Sequence, residues 1–237
     1  MMLPDLRHDS SLSQAVYRAI SASIASGELA VGAKITESGI AKAMGISRAP
    51  VREAFKQLAE DHLVTLVPRS RCFVAGLGPV DIAELYEIRK RLECMALEYA
   101  GSNFDIGFLR ELRARFAALG RISSAKDARK EIALDMELHD MISERSGCPN
   151  LCEILSTLRA RIQMMRIREM GDFKLADNAL REHIGILDAL IRGDITGGAA
   201  LMTEHLENSK RNLVARAEVR KDRPQVRQVS DKQDGRG

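Results

Sequence analysis

Gly45–Phe55 reads G-I-S-R-A-P-V-R-E-A-F, and its spacing predicts a helix with one basic face. Ser47 suits the N-cap, where a hydroxyl accepts a bond from one of the unpaired N–H groups that open a helix. Pro50 falls in the first turn, where a missing N–H does no harm. The helix is expected from about Arg48 to Glu60, with Val51, Phe55, Leu58 and Ala59 at helical spacing toward a core. Arg48, Arg52 and Lys56 recur every four residues and share the opposite face. Upstream, Thr36 can cap a shorter helix, Glu37 to Met44, which ends at Gly45, a residue suited to the left-handed turn between two crossing helices. The pair has the layout of a helix-turn-helix, whose second helix enters the major groove.

Residues flanking this pair extend the module. Leu12, Val16, Ile20 and Ile24, with Ala15 and Ala19 beside them, form one stripe over residues 10–26 and predict an amphipathic first helix that ends at Gly27. Downstream, Leu63 to Val67 and Cys72 to Ala75 are short β-type runs separated by Pro68, Arg69, Ser70 and Arg71. They predict a two-stranded hairpin with a basic tip. The whole string E-S-G-I-A-K-A-M-G-I-S-R-A-P-V-R-E-A-F-K-Q-L, followed by H-L-V-T-L-V-P-R-S-R-C-F-V, resembles the N-terminal winged helix of GntR-family bacterial transcription regulators. The resemblance implies Arg48 and Arg52 as the principal DNA contacts, Ser47 as a phosphate contact, and Arg69 or Arg71 on the wing. A planar arginine fork can pair with guanine O6 and N7 or grip a phosphate. Two departures from the family pattern stand out. Arg71 is followed by Cys72 where the family usually has glycine, and Ser38 and Gly39 replace residues that are often charged, which implies a weaker contact from the shorter helix.

The chain of 237 residues exceeds what one domain of roughly 150 residues needs, so two modules are expected. A hydrophobic fraction of 45% allows a packed core, while 29% charged residues and no long apolar run exclude a membrane protein. The opening M-M-L-P-D-L-R-H-D lacks the apolar stretch of a signal peptide, so the protein is expected to stay in the cytoplasm, which the resemblance implies is bacterial. Cys72, Cys94, Cys148 and Cys152 have no C-x-x-C spacing and are expected as free thiols, with a Cys148/Cys152 metal or redox pair as the alternative. The net charge of +3 is unevenly spread: +2 over residues 1–77, −4 over 78–207 and +5 over 208–237. Basic ends around an acidic middle fit phosphate attraction at the N-terminal module.

Gly76, Gly78 and Pro79 form the joint to a second module. Six helices are expected beyond it, over 80–101, 104–120, 126–146, 149–169, 173–192 and 195–217, with breaks at Gly101-Ser102, Ser123-Ser124, Gly147 to Pro149, Gly171-Asp172 and Gly193-Asp194. The expected fold is therefore mostly α. An arm (1–9) leads into a winged helix-turn-helix (10–77). An all-helical antiparallel bundle (78–218) follows, then a disordered basic tail (219–237).

Within the bundle, Asp135 and His139 lie four apart on one helix and point the same way, while His183 and His205 sit in apolar-periodic patterns that turn them inward. One carboxylate and three imidazoles suit zinc, nickel, iron or manganese; taken singly, each histidine is more simply a satisfied core or surface residue. D-I-A-E-L-Y-E-I-R-K-R-L-E, D-M-E-L-H, R-E-H-I-G-I-L-D-A-L-I-R-G-D and M-T-E-H-L resemble the helical effector domain of the FadR C-terminal type, called FCD. That resemblance implies one divalent ion on Asp135, His139, His183 and His205, zinc first among the candidates, with open positions for water or a small organic acid. Arg89 is the candidate to pair with the acid bidentately, and an ion pair with Glu93 is its alternative. The function implied is a homodimeric repressor on palindromic operator half-sites, controlled by that effector. A repressor that senses the metal directly is the alternative. A metal-dependent hydrolase is more remote, because no carboxylate stands at a spacing that marks a general base, so the chain is not expected to be an enzyme.

Overall fold

A computed structural model of the chain describes residues 7–67, 71–168 and 173–221. In the N-terminal module, α1 (Arg7–Ala25) begins inside the segment expected as an arm. It buries Val16, Ile20 and Ile24, each contributing roughly 1.5–3 kcal/mol of apolar burial. The stripe is narrower than expected: Leu12 is 37% exposed, and Ala15 and Ala19 face solvent. β1 (Lys34–Thr36) then leads directly into α2 (Glu37–Met44). Thr36 Oγ1 accepts from the Gly39 N–H at 3.1 Å, and Gly45 closes the helix in the left-handed conformation, φ 67°.

α3 (Arg48–Glu60) spans the expected residues and buries Val51, Ala54, Phe55 and Leu58. Ser47 occupies the N-cap position with extended backbone, but its hydroxyl makes no capping bond. Part of the reason is local. A capping hydroxyl accepts from the second or third residue of the helix, and the third residue here is Pro50, which has no N–H.

β2 (Val64–Val67) and β3 (Arg71–Val74) form the hairpin, with Val64 opposite Val74 and Leu66 opposite Cys72. β1 adds to the other edge of β3, Ile35 opposite Cys72, so the antiparallel sheet has the order β1-β3-β2. This third strand was not expected, because three residues are too few to show period-two alternation. Of the two wing-tip arginines, Arg69 lies outside the described residues, and so does the side chain of Arg71, whose backbone opens β3.

The second module consists of α4 (Pro79–Ala100), α5 (Ile106–Ala118), α6 (Ala125–Arg145), α7 (Pro149–Arg168), α8 (Phe173–Ile191) and α9 (Ile195–Lys221). Val219 to Lys221, expected in the tail, are helical, and residues 222–237 lie outside the described residues. α4 and α9 pack along their length, joined by Lys90 between Glu87 and Glu207 and by Lys210 between the same two glutamates. The core gathers Tyr86, Leu97, Leu109, Leu112, Phe116, Leu138, Ile142, Ile186 and Leu187. Leu77 packs against the cores of both modules, and α7 packs against α1. Among the described residues no helix is long and apolar enough to cross a membrane.

Candidate metal centre

α6 carries Asp135 and His139 one turn apart, α8 brings His183 and α9 brings His205. All four are buried, and one ligand atom from each lies within 4.8 Å of the others. Asp135 Oδ1 stands 2.8 Å from His183 Nε2, 3.4 Å from His139 Nε2 and 3.8 Å from His205 Nε2. His183 Nε2 and His205 Nε2 are 3.2 Å apart. Phe116 packs on the His183 ring with centroids 5.1 Å apart and closes one side.

The opposite ring nitrogens face carboxylates. His205 Nδ1 lies 2.8 Å from Glu182 Oε2, His139 Nδ1 contacts Glu93, and His183 Nδ1 lies 3.3 Å from Glu131 Oε1 without hydrogen-bond geometry. An ionised carboxylate only accepts, so His139 and His205 must donate from Nδ1, which leaves an Nε2 lone pair on each neutral ring. These lone pairs converge on another acceptor, Asp135 Oδ1. Asp135 Oδ1 and His139 Nε2 are buried with no hydrogen-bond partner. Lone pairs aimed at one point, with the His139 and His205 rings held from behind by carboxylates, form the donor set and outer support that a cation requires.

Charge gives the same answer. Across these contacts between described residues, Glu93, Glu131, Asp135 and Glu182 face two guanidiniums, Arg89 and Arg166. Two negative charges remain, and a divalent ion brings the sum to zero. Without an ion, burial pulls the His183 imidazolium down, but the close carboxylates of Asp135 and Glu131 outweigh it and hold its pKa up at about 9. Burial, together with the neighbouring His183 charge, pushes His205 down to about 3. Burial opposes ionisation of Glu93, yet Arg89 and His139 hold it down at about 2. Asp135 likewise stays well below the ordinary carboxylate range against its burial, chiefly through Arg166.

Arg89 Nε donates to Glu93 Oε1 at 2.5 Å, so the ion pair weighed as the alternative is formed. Its guanidinium also borders a cavity of about 30 Å³ shared with Asp135, His139 and Arg166. A second cavity, of about 430 Å³, is lined by Tyr86, Glu131, Arg166, Glu182, Asn208 and Arg211. Arg166 borders both cavities and contacts Asp135 and Glu131. Sequence reasoning missed it because α7 also carries Arg159, Arg161 and Arg168, with no spacing that singles one out. Glu131 and Glu182 had weak signals: Glu131 lies one turn before Asp135, and Glu182 immediately precedes His183. All four cysteines are free; Cys152 Sγ donates to the Ser143 carbonyl at 3.1 Å, and no cluster of possible ligands among the described residues includes Cys148 or Cys152.

On the N-terminal module, Ser47, Arg48 and Arg52 are exposed on α3. Arg52 is clamped by Glu37, and Lys56 pairs with Glu53 at 2.9 Å.

Comparison with known proteins accounts for both modules. Residues 12–74 match the model for bacterial regulatory proteins of the gntR family, and residues 84–208 match the FCD domain. The chain is 30% identical over 183 residues to a probable D-xylose utilization operon transcriptional repressor of Paenarthrobacter nicotinovorans, 77% of this chain and 80% of that one. It is 24% identical over 196 residues to the HTH-type transcriptional repressor RspR of Escherichia coli (strain K12), 83% of this chain and 86% of the relative. In fold it is similar to a putative transcriptional regulator GntR from Rhodococcus sp. RHA1, with a TM-score of 0.75 at 23% identity, over 86% of this chain and 98% of that one.

Proposed function

Given that the chain belongs to the GntR family of bacterial transcriptional regulators, with an FCD domain behind its winged helix, we propose that it is a repressor released from DNA by a small organic acid bound beside a divalent metal. The family and the relatives are DNA-binding regulators, not enzymes. In this reading Asp135, His139, His183 and His205 hold the ion, with zinc the first candidate and nickel, iron or manganese behind it. A bound divalent ion supplies a fixed positive centre for a carboxylate. The observation that carries the reading is the convergence of unpaired Asp135 Oδ1 and His139 Nε2 with two more ring nitrogens inside a shell of excess negative charge. Burial of all four ligands favours a retained ion over one that exchanges as the signal.

The cavity of about 30 Å³ beside Asp135 and His139 is water-sized, whereas the one of about 430 Å³ is large enough for an organic acid. Arg166 stands between them. An acid that draws Arg166 away from Asp135 pulls on α7, the helix that also packs against α1 of the DNA-binding module. Arg89 is the second cation in reach. On the DNA side, Arg48 and Arg52 read bases, the uncapped Ser47 hydroxyl meets a phosphate, and Arg69 or Arg71 serves the wing. Two copies occupy palindromic half-sites as a homodimer in the cytoplasm, and the effector changes the spacing of the two α3 helices. Operator affinity can fall only by the acid's preference for the altered state.

Elemental analysis of the purified protein and of His183→Ala tests this. About one transition metal per chain, lost in the variant, is expected. Absence of metal from both, even after incubation with zinc or nickel, refutes the metal reading. Screening organic acids for release of a bound duplex then tests the effector.

A further inference from the structure

Arg52 sits on the exposed face of α3, its side chain 57% exposed, yet it is held in place. Nε and Nη2 donate to Oε1 and Oε2 of Glu37, both at 3.1 Å. Glu37 belongs to a different helix: it is the first residue of α2, and its side chain is only 11% exposed. The turn that carries it is fixed by the Thr36 cap. A guanidinium has five N–H groups, one on Nε and two on each Nη. Glu37 takes the side edge, Nε with Nη2. The terminal edge, Nη1 with Nη2, keeps two N–H groups side by side.

That terminal edge can pair with O6 and N7 of guanine. An arginine with no partner can turn either edge to a base or fold back onto a phosphate. Here the choice is removed before DNA arrives, and less side-chain freedom is lost on binding. The carboxylate also acts at a distance, since a negative charge at this surface weakens the attraction of phosphates that dominates non-specific binding.

We propose that Glu37 is a specificity-determining positioning residue: it presents the terminal edge of Arg52 to the major groove, so that each half-site must supply a guanine, and it disfavours DNA that lacks one. The proposal rests on α3 being the helix that enters the groove. It adds a demand for one base and the residue that imposes it.

The test uses the full chain and a duplex selected by it from randomised double-stranded DNA. Fluorescence anisotropy at one fixed salt concentration compares that duplex with versions in which each G·C pair is replaced in turn by A·T. For the wild type, one replacement weakens binding roughly 5- to 150-fold, the equivalent of about 1–3 kcal/mol for one base-reading arginine. In Glu37→Gln that ratio falls at least about fivefold, while affinity for the replaced duplex stays level or rises. A merely structural role weakens binding to both duplexes together and leaves the ratio unchanged. Arg52→Lys keeps the charge without the fork on an exposed face, so it also loses the ratio, and it carries the test if Glu37→Gln folds poorly. If a folded Glu37→Gln keeps the wild-type ratio at every guanine while Arg52→Ala loses one, the proposal is overturned and the reading of α3 stands. If Arg48→Ala and Arg52→Ala both bind the selected duplex like the wild type, α3 is not the reading helix, and the proposal falls with it.

Discussion

Returning zinc to chelator-stripped protein should raise the melting temperature of the helical domain by about 5–16 °C. Stripped protein buries Asp135 Oδ1 and His139 Nε2 without a partner, at about 1–3 kcal/mol for each such group. It also keeps surplus negative charge around them, which a protonated His183 offsets only in part. An ion present at about 100 to 1,000 times its dissociation constant adds about 2.7–4.1 kcal/mol to the folded state. In a protein of about 150–250 residues, each kcal/mol moves the midpoint by about 2–4 °C, and the product is the stated range. Differential scanning calorimetry on dialysed protein, with zinc, nickel or manganese added in excess, reads the shift directly. The transition of the helical domain should move, while that of the winged helix stays. His183→Ala and Asp135→Asn should abolish the shift. A wild-type shift below about 2 °C with all three metals, or variants that shift as far as the wild type, would refute the reasoning.

Replacing Arg166 with Met strands Asp135 and Glu131 in the interior, and loss of one partner of a buried ion pair costs about 3–5 kcal/mol; chemical denaturation should show that loss, smaller with metal present because the ion supplies part of the missing charge. Gly45→Ala should destabilise the N-terminal module by about 1–2 kcal/mol through the left-handed backbone alone, since no atom lies within 4 Å of an added Cβ; Gly45→Asn should cost less in the same melt. Tyr17 O–H donates to Asp61 Oδ2 at 2.5 Å, and burial followed by Asp61 raises its pKa from 10.0 to about 12. A raised phenol pKa stabilises the fold below about pH 10 and withdraws that stability as pH rises through about 12. Melts over that window should therefore fall more steeply for the wild type than for Tyr17→Phe.

The winged helix was legible where its turns depend on single residues. Thr36, Gly45 and Ser47 fix the limits of α2 and the start of α3, and the structure places both helices over the residues their spacing indicates. The Ser47 capping bond was misread, though Pro50 three residues on already ruled out one of its two donors. β1 was hidden because it pairs with a strand more than thirty residues away and is too short to show alternation. In the helical module, Asp135 and His139 were legible as one turn of α6. That His183 and His205 join them depends on how α8 and α9 cross, which periodicity along one helix does not encode. Arg89 posed a choice that only packing settles: Glu93 holds its Nε. Arg166 was invisible for the same reason, since nothing along the sequence of α7 distinguishes the arginine that faces two buried carboxylates from the other three.

Because its four convergent groups come from α6, α8 and α9, the cluster has an order of assembly. Asp135 and His139 are made early, but His205 lies on the last described helix, so the pocket does not exist on a nascent chain until α9 has left the ribosome. From then on an ion bound there, as proposed, would tie α9 to α6 and α8 as a cross-link does, and a chain that stops short of α9 would have neither that tie nor the lid that α9 lays along α4.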